Sequence, residues 1–153
     1  MITQEERQQI DEEIKKAPTK KAAVIDVLKV VQKHRGWVTD NAIEEAAELL
    51  GMTPAEVDSI ATFFSLIFRR PVGKHVILVC DSVSCWLVGY EEIKDHLMKR
   101  LGISLGETTK DGRFTLLPSA CLGLCEEAPA MMIDENLYTK LTTSLVDEIL
   151  GRY

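Results

Sequence analysis

The first half of the chain carries the hydrophobic spacing of a helical segment. Residues 4–16 and 20–34 each repeat apolar side chains at intervals of three and four, and the first of these patterns stops before Pro18. Such spacing places the apolar side chains on one face of a helix. We therefore predict two helices in this part of the chain, separated by a break at the proline.

Two further helices are marked mainly by their ends. The segment 40–50 has Thr39 or Asp40 as its cap and Gly51 where a left-handed terminating residue is favoured. Thr53-Pro54-Ala55-Glu56 is a capping box with proline at the first helical position. This motif predicts a fourth helix that runs to about residue 62 or 64.

The pattern changes after residue 72. The run His75-Val76-Ile77-Leu78-Val79 is apolar, β-branched and of strand length, and Cys80 follows it directly. Further predicted elements are a helix at 89–101, a hairpin around Asp111-Gly112, strands at 130–133 and 137–139, and a last helix capped by Thr142. The predicted fold class is α+β. A helical bundle over 1–72 is followed by an α/β domain over 73–153, with a small mixed sheet covered by a helix on each side.

Charge excludes one class of function. The chain has 153 residues and a formal net charge of -6, and no run of lysine and arginine forms a basic stripe. We expect no nucleic-acid partner, and the three short helices are not interpreted as a helix-turn-helix.

Neither a membrane span nor a targeting segment is apparent. The apolar runs are far shorter than the roughly 20 residues that cross a bilayer, and the first residues lack the features of a leader or transit peptide. The expected compartment is the cytoplasm. In a reducing compartment, a regular cysteine pattern favours metal binding or redox chemistry over structural disulfides.

The four cysteines form two loop pairs, and each pair follows an apolar strand. The first pair is Cys80 and Cys85, and the second is Cys121 and Cys125. A strand end fixes one anchor, and the short loop beyond it lets two sulfurs converge. Soft sulfur ligands select iron-sulfur clusters, zinc or Cu(I).

Several interpretations of this pattern compete. In the first, the cysteines are unrelated core residues. In the others they are the ligands of a structural zinc site, a thioredoxin-type dithiol, or the ligands of a 2Fe-2S cluster. Spacing favours the cluster, because a four-residue gap in one pair is within its known range and neither pair is Cys-x-x-Cys. His34, His75 and His96 show no pairing of the kind that a Rieske site needs.

Motifs for a nucleotide or a flavin are absent. No glycine-rich dinucleotide loop, Walker loop or nucleophile with its base occurs in the sequence. A one-electron carrier without a substrate pocket needs partners that supply and accept electrons. We therefore expect a component of a larger complex, with no catalytic residues of its own.

The sequence around the cysteines is similar to that of a known family. The loops Cys80–Cys85 and Cys121–Cys125, with Pro129–Ile133, His34–Val38 and Ala61–Ser65, resemble the E subunit of bacterial NADH-quinone oxidoreductase, respiratory complex I. The Cys-x4-Cys and Cys-x3-Cys arrangement resembles that of thioredoxin-like 2Fe-2S ferredoxins. This resemblance covers nearly the whole chain, and no ligand position departs from it.

The resemblance implies a fold, a cofactor and partners. It implies a thioredoxin-like C-terminal half and one 2Fe-2S cluster on Cys80, Cys85, Cys121 and Cys125. It further implies that the helical region docks on a subunit that carries FMN and the NADH site, at the cytoplasmic face of the membrane. One alternative is the diaphorase module of an NAD-linked hydrogenase or formate dehydrogenase. An alternative of another class is a zinc-binding scaffold.

Overall fold

The chain folds into two compact units, which are described separately. A computed structural model describes residues 2–153, with one unit ending at Pro71 and the other spanning Val72–Tyr153. The first unit is helical, and the second combines helices with a four-stranded sheet. Across residues 2–153, no helix has both the length and the apolar character that crossing a bilayer requires.

The first unit contains four helices whose ends follow the sequence signals. They are α1 (Gln4–Lys16), α2 (Val24–Arg35), α3 (Asp40–Leu50) and α4 (Pro54–Phe63). Thr53 and Glu56 form the capping box, in which each side chain bonds the main-chain N–H of the other. Thr39, not Asp40, caps α3, since its hydroxyl accepts from the N–H of Ala42 at 3.1 Å. The apolar faces of the four helices meet in one core.

A charged cluster lies at the edge of this helical core. The guanidinium of Arg35 donates to Glu6 at 2.9 Å and to Glu45 at 2.7 Å, and Glu6 is 1% exposed. Burial alone would raise the pKa of Glu45, but the hydrogen bond and the charge of Arg35 favour its ionised form. The pKa of Glu45 lies below its ordinary value as a result.

The second unit is built on a mixed sheet. Its strands are β1 (His75–Cys80), β2 (Phe114–Ser119), β3 (Met131–Ile133) and β4 (Asn136–Tyr138), in the order β2-β1-β3-β4. Its helices are α5 (Val83–Leu87), α6 (Tyr90–Leu101) and α7 (Thr143–Leu150). Strands β1 and β2 are parallel, while β3 is antiparallel to both β1 and β4. The predicted α+β class with a small mixed sheet is confirmed.

The longer helices of this unit, α6 and α7, share a single core with the sheet. Ile77 of β1 stands opposite Leu116 of β2 and Ile133 of β3, and these three side chains belong to the same buried cluster as Leu97 of α6 and Ile149 of α7. The expected arrangement with a helix on each side of the sheet was wrong in this respect. The two helices lie together, as the bond of His96 to Asp147 at 3.1 Å also shows.

Three local predictions also need correction. Residues Lys20–Ala23 form a 3-10 turn before α2, a common start for a helix. In place of a regular hairpin ladder, residues 108 and 115 form an isolated bridge, and the N–H of Phe114 donates to the Thr109 hydroxyl rather than to a backbone carbonyl. The short helix α5, which lies between the first two cysteines, was not predicted.

Candidate metal centre

The two cysteine pairs follow neighbouring parallel strands. Cys80 is the last residue of β1 and stands opposite Ser119, the last residue of β2. The N–H of Asp81 donates to the carbonyl of Ser119 at 2.9 Å, which holds the two strand ends together. Because parallel strands end at the same edge of a sheet, the loops that carry the two pairs start side by side.

The first pair is buried. Cys80 is 3% exposed, and Cys85 is 1% exposed on the inner side of α5. Burial acts to raise the pKa of the Cys80 thiol, but hydrogen bonds from Ser82 and from the backbone of Leu122 bring this pKa below its ordinary value. Burial raises the pKa of Cys85. The Cys80 sulfur also lies 3.4 Å from the Ser82 hydroxyl oxygen.

The second pair is exposed. The sulfurs of Cys121 and Cys125 are 3.8 Å apart, and the N–H of Gly123 donates to the Cys121 sulfur at 3.3 Å. Gly123 has φ +77, a backbone conformation that side chains rarely adopt, and this turn lets the two sulfurs face each other. A 3-10 turn over Cys125–Glu127 follows.

One backbone contact joins the two loops. The backbone of Leu122, in the second loop, is close enough to the sulfur of Cys80 in the first to lower the pKa of that thiol. The structure therefore brings the sulfurs together in pairs at one end of the unit. Within residues 2–153, no three side chains of His, Cys, Asp or Glu are grouped as ligands of a single ion.

The donor set fits a binuclear iron-sulfur cluster. Such a cluster takes two protein ligands on each iron, and thiolates are its usual ligands. Two sulfur pairs match that division. The amide at Gly123 donates a hydrogen bond to the Cys121 sulfur, a common means of stabilising the negative charge of such centres.

The sequence reasoning missed two features of this site. The first is α5, which is too short for a hydrophobic period to reveal. The second is the role of the Leu122 backbone, which no side-chain pattern encodes. Glu127, two residues beyond Cys125, accepts from the Thr139 hydroxyl at 3.1 Å and pairs with Lys140 at 3.3 Å.

Comparison with known proteins identifies the family. The family described as "Thioredoxin-like [2Fe-2S] ferredoxin" matches residues 10–153. The chain belongs to this family. The thioredoxin-like fold of this ferredoxin and its 2Fe-2S cofactor, both expected from the resemblance, are confirmed at that level.

Individual relatives agree with the resemblance. The ferredoxin is 51% identical over 148 residues to the E subunit of NADH-quinone oxidoreductase from Escherichia coli (strain K12), covering 97% of this chain and 89% of the relative. It is 46% identical over 153 residues to the same component of the Pseudomonas aeruginosa oxidoreductase, covering 100% and 92%. The resemblance to this component of NADH-quinone oxidoreductase is thus confirmed, as is the assignment to oxidoreductase electron-transport proteins.

A solved structure is also similar. The NAD+-reducing [NiFe]-hydrogenase in its air-oxidised state aligns with a TM-score of 0.71 and 25% identity over 82% of the ferredoxin. The ferredoxin spans only 22% of that hydrogenase chain. The identity of the four ligand residues stays a prediction, because none of these comparisons bears on individual side chains.

Proposed function

We propose that this ferredoxin is the electron-transfer E subunit of an NADH-quinone oxidoreductase, with one 2Fe-2S cluster bound by Cys80, Cys85, Cys121 and Cys125. The observation that supports it is the placement of the two cysteine pairs at the neighbouring ends of two parallel strands, with the sulfurs of Cys121 and Cys125 3.8 Å apart. When bound, the cluster accepts and donates single electrons.

The residues around the cysteines have separate tasks in this proposal. Cys80 and Cys85 are buried by the chain itself at β1 and α5, whereas Cys121 and Cys125 are exposed at the same end of the unit. The N–H of Gly123 and the backbone of Leu122 hold negative charge on sulfur. The four thiolates must lose their protons to bind the metal, so assembly releases protons.

The partners follow from the similarity to the oxidoreductase relatives. We propose that electrons come from NADH through FMN on a neighbouring subunit, and that the assembly lies at the cytoplasmic face of the membrane. The helical unit that ends at Pro71 is proposed to dock on that flavin subunit. The likeness to an NAD+-reducing hydrogenase favours one second candidate, a component of a hydrogenase diaphorase module. The set of proteins that copurify decides between the two.

Metal analysis and spectroscopy test the ligand set. Anaerobically purified ferredoxin should contain iron with acid-labile sulfide and, once reduced, show the EPR signal of one 2Fe-2S centre per chain. Cys121→Ala should lose or destabilise that centre, because a ligand and its negative charge are removed together. Ser84→Ala, within the first loop and outside the ligand set, is the matched control and should keep the signal. Zinc without iron in the wild type, or an unchanged spectrum in Cys121→Ala, would overturn the proposal.

A further inference from the structure

The helix that carries Cys85 exposes an unusual amount of apolar surface. Val83, Trp86, Leu87 and Val88 are 70%, 58%, 71% and 56% exposed, whereas Cys85 between them is buried. We call these four side chains the α5 patch. A monomer rarely exposes several large apolar side chains side by side, and a patch of this kind marks an interaction site.

The distribution of these side chains around α5 strengthens that argument. The helix reads Val-Ser-Cys-Trp-Leu, and because successive residues turn by about 100°, Val83, Trp86 and Leu87 lie on one arc that faces away from Cys85. The apolar face of a helix is normally buried against another element. Here only the Cys85 side is covered by this chain, so the remaining sides need a partner.

The surroundings of the patch set the charge of that partner. Asp81, Glu91 and Glu92 are exposed on either side of the patch in the sequence. Burial raises the pKa of Tyr90, and the charges of Asp81 and Glu91 also act to raise it. Lys94 is the one lysine or arginine in residues 80–95, and it is paired with Glu91 and Asp95. The rim is therefore acidic, and a complementary surface is basic.

The position of the patch indicates which partner covers it. Cys85 lies within α5, and a Cβ on Gly89 would be 3.9 Å from the Pro129 ring, which places the end of α5 against the segment that follows Cys125. The rate of electron transfer falls steeply with distance, so the protein that exchanges electrons must approach this end of the unit. An exposed tryptophan is a frequent energetic centre of such interfaces.

We infer that the α5 patch is the docking surface for the electron-exchanging flavin subunit, which offers an apolar depression bordered by lysine and arginine. This inference rests on the proposed function, and it names the surface that the proposed function uses. Trp86 and Leu87 insert into the depression, while Glu91 and Glu92 meet its basic rim.

The test measures binding and cluster content separately. The cluster-loaded ferredoxin and its variants Trp86→Glu and Leu87→Glu are titrated with the purified FMN-containing, NADH-oxidising subunit of the same host. Each variant should bind at least about tenfold more weakly than the wild type, because a charge enters an apolar contact. Reduction of the cluster by NADH through that subunit should slow in parallel, while reduction by dithionite should not change. Leu137→Glu, an equally apolar and 50% exposed position on β4, is the matched control and should bind within about twofold of wild type.

Salt dependence tests the rim. The double variant Glu91→Lys and Glu92→Lys should associate more slowly at low salt, and the difference should shrink as the salt concentration rises. If Trp86→Glu loses its cluster, the binding of Leu87→Glu decides whether the α5 patch is the docking surface. If neither variant keeps its EPR signal, Val88→Glu is measured in their place.

The two proposals fail in different ways. Variants that keep the 2Fe-2S EPR signal and bind the flavin subunit as tightly as wild type would overturn the docking surface and leave the proposed function intact. A wild-type chain that shows no iron-sulfur signal would overturn the proposed function itself, and the docking inference that rests on it.

Discussion

Glu6 shows how a single buried charge constrains the helical unit. Its side chain is 1% exposed, yet it both completes the capping box of α1 and accepts from Arg35 at 2.9 and 3.2 Å. A buried carboxylate is costly unless it is paired and fully hydrogen-bonded. Arg35 therefore connects the start of α1 to α3 through Glu6 and Glu45.

Removing Arg35 should destabilise the protein strongly. We expect Arg35→Met to lower the free energy of unfolding by about 3 kcal/mol, because Glu6 is left buried without its positive partner. Urea unfolding followed by circular dichroism measures the change. Adding Glu6→Leu to the same chain should recover most of the loss, since the uncompensated charge is then gone.

The exposed pair of Arg7 and Asp11 serves as the control for that prediction. These side chains are 51% and 45% exposed and 3.2 Å apart on one face of α1. Arg7→Met should change stability by less than about 0.5 kcal/mol, because water screens an exposed pair. Equal effects of the two arginine substitutions would contradict the role assigned to the buried carboxylate.

The ionisation of Glu45 makes the free energy of unfolding depend on pH in a known direction. Its pKa is lower in the folded chain than in the unfolded one, so its carboxylate form stabilises the fold. This contribution is complete above the ordinary value of about 4.3 and is lost as the pH falls through the lower folded-state pKa. The stability difference between wild type and Glu45→Gln should therefore shrink between about pH 6 and about pH 3. Unfolding titrations at several pH values measure it, and a difference that grows on acidification would contradict the assignment.

At the scale of elements, substitutions at the helix caps test whether a single capping residue sets where a helix begins. Thr39 caps α3 through its hydroxyl, whereas Asp40 is the first residue of the helix and is 93% exposed in its side chain. Thr39→Ala should cost about 1 kcal/mol of stability, and Thr39→Ser should retain most of it. Asp40→Ala should cost less than half as much, because an exposed pair with Arg69 contributes little. Thermal unfolding distinguishes the two positions, and a larger effect at Asp40 would make it the true cap.

The elements that sequence predicted are those with local signals. Helices α1, α3 and α4 have an apolar period and polar caps within a few residues, and Gly51 ends α3 at φ +66 as expected. Helix α5 has neither, since five residues are too few to show a period. Residues 106–109 pair irregularly with β2, and the Asp-Gly signal alone does not determine whether a loop or a hairpin forms there.

At the scale of the whole molecule, some features of the candidate site could be predicted from sequence and others could not. The four cysteines and their strand-end placement could be predicted, because cysteine spacing and strand pattern both depend on residues close together in the sequence. The contrast between a buried and an exposed pair arises only when β1 and β2 align in parallel. The α5 patch is likewise invisible in sequence, since apolar residues beside a buried cysteine resemble an ordinary core.

Separating the two units tests whether the helical unit contributes to docking independently of cluster binding. The buried core around Ile77 and Leu97 belongs wholly to Val72–Tyr153, and so do all four cysteines. A chain that begins at Val72 should therefore keep the visible absorption and the EPR signal of the 2Fe-2S centre. The same truncation should lower its incorporation into the complex at least about tenfold, because the proposed docking helices are missing. Full-length protein carrying Arg35→Met, compared below its unfolding temperature, shows whether a loosened helical unit has the same effect as a missing one. Loss of the cluster from the truncated chain would show that Val72–Tyr153 does not hold it alone, and incorporation at the wild-type level would show that the helical unit adds nothing to docking beyond the α5 patch.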